Sequence, residues 1–438
     1  MAATVSLKKA ITPLQLWAIA VGLVISGEYF GWNYGWGVAG TVGFLVSVLV
    51  ITGMYGTFIF SFTELTTAIP QAGGPFTYAY RALGPWGALV AGYATLVEFL
   101  LATPAIAMAL GTYVHFLCPA LPVQGTAMGV YLLLTGVNLL GIKESAVFTL
   151  VMTLLAVAEL LLFMGMVAPA FHWSNFTRDA LPRGWGGVFA ALPFAVWLYV
   201  CIEGVAMVAE EVKRPARTIP LGYISGILTL MLLAFGVMIL SGGATDWRRL
   251  TNIDYPLPET IAQVLGRSSH FTRLFAGIGL FGLLASFNGI IISYSRQIFA
   301  LARERYLPGF LAQVGPRRQT PYWALLCGAG IGIMALCLGK TDQLVILSVL
   351  GAVVMYVISM ISLFVLRHTA PGLHRPYRAP GYPWVPALAL LLSLLALVSI
   401  VYYNWQMGLL FLEGLALAAA YFYLTGKHKR IYAALPEA

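Results

Sequence analysis

Three glutamates stand inside long apolar runs of this chain, Glu28, Glu98 and Glu203. A carboxylate at mid-bilayer depth costs roughly 2.5 to 3.5 kcal/mol even on the permissive insertion scale, so a chain that keeps one uses it on a solute pathway or pairs it. Glu28 lies in Ser26-Gly27-Glu28-Tyr29-Phe30-Gly31 and Glu203 in Tyr199-Val200-Cys201-Ile202-Glu203-Gly204, each acid beside a glycine where a helix should break. Irregular backbone at membrane depth is tolerated only where it lines a cavity or is buried in protein. Two such breaks meeting at mid-membrane make a solute site, and its carboxylates would draw a protonated amine or serve proton coupling.

The elements that must position these groups are membrane helices. Of 438 residues, 60% are hydrophobic and only 9% charged. The apolar runs recur at about 20 residues, the length that crosses a bilayer core. They are continuous rather than alternating, which excludes a barrel and predicts an all-α integral membrane protein. Twelve spans are expected, roughly 12–37, 41–66, 86–114, 125–141, 145–168, 186–208, 219–241, 272–302, 321–339, 343–366, 384–403 and 406–425. The first follows Lys8 and Lys9 but is long, broken by glycine and without a small-residue cleavage site, so it reads as a span and not a removable leader.

The net charge of +9 belongs to the loops. Lys and Arg form no basic stripe interleaved with aromatics, which argues against nucleic acid. With the N-terminus inside, 18 of the 25 Lys and Arg, among them Arg81, Arg296, Arg303, Arg305, Arg367 and Arg375, fall on the cytoplasmic side. That bias predicts both termini in the cytoplasm of a cell-membrane protein.

Five spans separate the two breaks, as a five-plus-five inverted repeat would require, spans 1 to 5 and 6 to 10 being related by a pseudo-two-fold axis in the membrane plane. Residues 1–208 then hold the first repeat and the start of the second, 186–366 the second, 384–425 two extra C-terminal helices and 426–438 a cytoplasmic tail, all within a single membrane domain. Cys118, Cys201, Cys327 and Cys337 lack CxxC spacing, and the six histidines lie in or beside loops without paired ligand spacing. No metal site, cofactor or catalytic nucleophile is therefore expected, and the protein is not read as an enzyme. Gly277 to Gly282 matches GxGxxG by letters only, since it lies within an apolar helix where small residues serve packing. Asn175-Phe176-Thr177 is a chance sequon, and Glu413 on span 12 stands outside the repeat.

Glu64-Leu65 with Pro70-Gln71-Ala72-Gly73-Gly74-Pro75-Phe76-Thr77-Tyr78, then Ala209-Glu210-Glu211-Val212-Lys213-Arg214-Pro215, then Ser295-Arg296-Gln297 through Arg303-Glu304-Arg305-Tyr306-Leu307-Pro308, resemble signatures of the amino acid, polyamine and organocation permease superfamily. The matches cover spans 1 to 10. Within that superfamily, Pro13 to Gly22 and Ser26 to Asn33 resemble the bacterial ethanolamine permeases. The resemblance implies a LeuT-type fold and import of ethanolamine or a related small amine by alternating access, as monomer or homodimer. A carrier of amino acids or polyamines on the same fold is the alternative.

In the superfamily's amino acid carriers the first break reads Gly-Ser-Gly followed by an apolar residue, and its amides cradle the substrate carboxylate. Here Glu28 follows Ser26-Gly27 and would occupy that anion site. The resemblance places Glu203 on the second break as an acid coupled to substrate and proton, and Trp197 as the aromatic that closes over substrate. Glu98 falls where related antiporters contact substrate, or else serves as a buried strut. Ser26, Gly27, Tyr199, Cys201 and Asn288 complete the expected substrate contacts. Some proton-coupled members carry a Lys on span 5, where this chain has Ala156 and, one turn on, Glu159. Glu28, Glu98, Glu203 and Glu159 are thus the candidates for proton coupling, with a proton the expected coupling ion and sodium the alternative.

Overall fold

The computed structural model describes residues 11–140, 146–267, 269–315 and 320–426. All but the first residue of the tail expected at 426–438, and the basic residues at 8, 9, 143, 317 and 318, lie outside them.

The described chain is helical: α1 (Pro13–Val24), α2 (Ser26–Tyr29), α3 (Tyr34–Ala68), α4 (Pro75–Leu117), α5 (Val123–Leu139), α6 (Ala146–Val167), α7 (Trp173–Thr177), α8 (Gly184–Ala190), α9 (Leu192–Trp197), a 3-10 segment (Ile202–Glu211), α10 (Pro215–Ala244), α11 (Pro256–Leu265), α12 (His270–Arg303), α13 (Tyr322–Leu338), α14 (Thr341–Thr369), α15 (Trp384–Tyr403) and α16 (Trp405–Leu424). Among the described residues nine segments are long and apolar enough to cross a membrane, and α5 and α13 are shorter apolar helices.

Local sequence sets the start of α1 and the bend in α3. A capping box at Thr12 and Gln15 starts α1, with Pro13 at the first helical position. Gly40 takes a left-handed φ of 72° and kinks α3 where the 180 carbonyl crosses it, leaving no room for a Cβ. Inside, α4 packs along α14 and α12, and α1 lies against α10 and α6. The helices facing outward, α15 and α16, carry exposed leucines and aromatics, as lipid-facing surfaces do.

Polar knots close the two ends. At one, Glu64 of α3 is 1% exposed and meets Arg367 of α14 at 2.7 Å and Arg375 at 3.3 Å, and it also accepts the Ala379 N–H at 2.7 Å. At this end too Glu210 accepts the Ala72 N–H at 2.9 Å, and Glu211 pairs with Arg296 at 3.2 Å. At the other end Asp254, in the loop before α11, accepts from Tyr34 of α3 at 2.6 Å and from Thr341 of α14 at 2.9 Å. Its carbonyl accepts from Thr112 of α4 at 3.4 Å, and Asn33 donates to the carbonyls of Leu250 and Ile253.

Burial raises the Asp254 carboxyl above the usual range; neighbouring Asp342 adds to this, while the hydrogen bonds from Tyr34 and Thr341 oppose it. A carboxyl raised in the closed knot holds its proton more tightly there than in an open loop. Its contribution is complete below the ordinary Asp value of about 3.9 and is lost as pH rises through the raised value. Amide exchange over 250–255, corrected for intrinsic rates, should therefore accelerate as pH rises through that window, and Asp254→Asn should remove the dependence. An unchanged dependence in the variant would assign it elsewhere.

Candidate functional site

The first break lies slightly downstream of its expected place. Residues 26–29 form one helical turn after Ile25, whose backbone stays in the helical region. The chain leaves the helix at Phe30, which is extended, and at Gly31, with φ of 91°. Gly27, which the sequence placed at the break, has no positive φ and serves close approach instead: a Cβ there would lie 2.6 Å from the Trp197 carbonyl oxygen. The second break lies where expected. Helix α9 ends at Trp197, Cys201 is left-handed with φ of 74°, and the tighter 3-10 segment follows.

The two breaks abut. The Trp197 indole N–H donates to the Phe30 carbonyl at 3.0 Å, and its ring meets Phe30 edge-on at 5.5 Å. A Cβ at residue 31 would fall 2.4 Å from the Trp197 indole nitrogen. Gly31→Ala should thus reduce transport at least tenfold while the protein still inserts, because the left-handed backbone alone costs an L-residue about 1 to 2 kcal/mol and the indole must also move. Wild-type uptake by this variant would show that the Trp197 contact is dispensable.

Glu28 is fully buried, and neither of its carboxyl oxygens meets a hydrogen-bond donor among the described residues. The nearby Tyr199 phenol is close enough to interact with it electrostatically. Tyr199 bonds Thr52 of α3 at 2.8 Å, and its ring lies 5.1 Å from that of Tyr55. Tyr55 leads on to the second acidic group through its 2.8 Å bond to the Tyr356 hydroxyl, and Tyr356 donates to Glu203 at 3.1 Å.

Glu203 faces Glu98 of α4 closely enough for the two carboxyls to share a hydrogen bond when one carries a proton. No donor among the described residues reaches Glu98 Oε2 or Glu203 Oε1. Glu98 Oε1 accepts the Cys201 N–H at 3.1 Å, so the left-handed residue at the second break aims its amide at α4. Two carboxylates held together in a dry interior cannot both stay ionised without a cation, so the pair either holds a proton between its members or receives an ammonium.

Ser26 bonds Ser286 of α12 at 2.8 Å, and Ser286 donates to the Leu23 carbonyl at 2.7 Å. Asn288 faces another way, its carbonyl oxygen accepting from Asn138 of α5 at 2.7 Å. Glu159 of α6 accepts from Tyr29 at 2.7 Å, and Tyr113 donates to the Tyr29 carbonyl at 3.0 Å, which ties the end of α2 to α6 and α4. The structure thus brings together Glu98, Glu203 and Cys201, connects Glu28 to them only through the chain Tyr199, Tyr55 and Tyr356, and gives Asn288 and Glu159 partners on other helices. Sequence reading missed Tyr55, Tyr356 and Ser286. The only signal was a polar tip in an apolar run, which many packing tyrosines and serines share. No group of three His, Cys, Asp or Glu side chains suited to a metal ion occurs among the described residues.

A family model described as amino acid permease matches residues 11–409. The chain belongs to the amino acid permease family. This permease is therefore a multi-pass membrane transporter of the amino acid–polyamine–organocation superfamily and not an enzyme. It is 31% identical to an uncharacterized transporter of Rhizobium meliloti over 88% of this chain and 85% of the relative. It is 26% identical to a branched-chain amino acid permease of Bacillus subtilis, over 97% of this chain and 95% of that one. A serine/threonine exchanger of the same organism is 25% identical over 82% and 83%.

Proposed function

We propose that this permease imports small amino acids across the cytoplasmic membrane by alternating access, with protons as the coupling ion. One observation carries the reading: Glu28, buried at the face where the two breaks abut, offers two carboxyl oxygens that no donor in the described protein meets. Such a group is stable only with a proton of its own or a cation against it. Protonated, it donates a hydrogen bond to a substrate carboxylate held at the break, while the substrate ammonium lies toward Glu98 and Glu203. Proton and amino acid then bind together, which is what symport requires. Glu159, which accepts from Tyr29 at the end of α2, is the second candidate for carrying that proton.

The relatives named for branched-chain amino acids and for serine and threonine support amino acids over ethanolamine. Ethanolamine remains the second reading, favoured by Glu28 itself, because an ionised carboxylate at the anion site of an amino acid carrier would select an amine without a carboxylate. In either reading twelve spans form a five-plus-five inverted repeat with two helices appended, and both termini are cytoplasmic.

The test is uptake of radiolabelled leucine, serine and ethanolamine into sodium-free proteoliposomes, with and without an inward proton gradient and with putrescine as competitor. Gradient-driven accumulation of an amino acid supports the proposal. Accumulation of ethanolamine alone establishes the second reading, and uptake indifferent to the gradient removes proton coupling.

A further inference from the structure

A cavity of about 470 Å³ lies at the end of the protein that carries Glu210 and Arg296, between the start of α4 and the end of α12, and neither Glu98 nor Glu203 lines it. That volume lies within the range of small-molecule sites. Arg81, Arg303 and Arg305 line it together with Tyr80 and Thr77, against the single acid Glu304. Glu304 pairs with Arg303 at 3.5 Å, and Arg81 and Arg305 have no ion pair among the described residues. The chain turns at Arg305 through a left-handed φ of 69°, which brings this arginine back beside α12.

The surroundings decide what class of anion fits. The cavity wall at Tyr306 stacks on Phe422 of α16 at 5.0 Å, and Trp86 of α4 meets Phe422 edge-on at 5.2 Å. Trp86 and Leu83 are more than a third exposed, as are Tyr423 and Leu424 at the end of α16. Exposed tryptophan and tyrosine beside leucine at helix ends mark the level of lipid headgroups. A pocket with two unpaired arginines thus opens next to an apolar flank at that level. Basic pockets between membrane helices on the cytoplasmic side hold anionic headgroups, and arginine meets phosphate oxygens with paired N–H donors.

We infer that this cavity is a binding site for the phosphate headgroup of an anionic phospholipid, whose acyl chains lie along Leu83, Trp86 and the end of α16. Nothing in this inference depends on which solute is carried.

Native mass spectrometry of the full-length protein, released from a neutral detergent, tests it with phosphatidylglycerol and phosphatidylcholine of matched acyl chains. Phosphatidylglycerol should bind at least tenfold more tightly than phosphatidylcholine, and Arg81→Gln with Arg305→Gln should abolish that preference. Arg249→Gln, an exposed arginine of the loop before Asp254, should leave the preference intact. If the double variant does not fold, the single variants should each reduce the preference, and Arg81→Lys with Arg305→Lys should restore part of it. Equal binding of the two lipids, or an undiminished preference in the glutamine variants, overturns the inference. Displacement of phosphatidylglycerol by millimolar inorganic phosphate would also overturn it, by showing a site for the free ion.

Discussion

Glu28→Gln is expected to keep amino acid binding to within about fivefold of wild type, since a glutamine donor in place of an acid hydroxyl alters a hydrogen bond worth about 1 kcal/mol net. It is expected to abolish the response to a proton gradient. One pH unit is worth about 1.36 kcal/mol for each proton moved, so symport of one proton supports about tenfold accumulation, which the variant should lose. If Glu28 instead faces the ammonium of ethanolamine as an anion, the same substitution removes one partner of a buried charge pair, at about 2 to 5 kcal/mol, and uptake falls by about 30-fold or more. Glu413→Gln, on the exposed flank of α16, should change neither quantity. Small and equal effects of the two substitutions would remove Glu28 from the transport cycle. Counterflow and gradient-driven uptake in one proteoliposome preparation measure both quantities.

The second large effect concerns stability. Glu64 is buried between Arg367 and Arg375, whose side chains are 19% and 6% exposed. Arg367 also stacks over Tyr382 at 4.4 Å, and Arg375 donates to carbonyls at the end of α14, including Leu366 at 2.8 Å. Removing the shared carboxylate leaves two cations facing each other without an anion. Breaking a buried pair in this way costs about 3 to 5 kcal/mol. Glu64→Ala should therefore lower the yield of monodisperse protein in mild detergent and the temperature at which it aggregates. Glu64→Gln should lie between, because it keeps an acceptor for the Ala379 amide. Wild-type stability in Glu64→Ala would show that the knot is solvated and contributes little.

Much of the site was legible because membrane burial makes polar groups conspicuous. Glu28, Glu98 and Glu203 stood out as acids in apolar runs, and all three are fully buried. Cys201 was legible from its place before Ile202 and Glu203, and it supplies a backbone amide to Glu98. Asn288 carried the same type of signal, yet its carbonyl oxygen accepts from Asn138 on α5. A helix places residues two apart on different faces, so Ser286 reaches the first break while Asn288 turns away. The exact start of that break was illegible for a related reason: Gly27 and Gly31 both permit a turn, and in the structure both lie against Trp197, its carbonyl at Gly27 and its indole at Gly31.

The sequence by itself determined that the chain is helical and membrane-embedded, where its long apolar segments run, and that Glu28, Glu98 and Glu203 lie within them. These follow from local composition, since each segment must satisfy its own backbone hydrogen bonds in lipid and each buried charge stands out against apolar neighbours. Only the tertiary structure decided which acids meet. Glu98 and Glu203 are 105 residues apart in sequence and become neighbours because α4 crosses the second break, where Glu98 accepts the Cys201 N–H. It also decided that Glu64 is held by Arg367 and Arg375, and that Arg81 shares a cavity with Arg303 and Arg305. Pairings of that kind depend on helix packing across hundreds of residues, and the pattern within any single span carries no record of its partner.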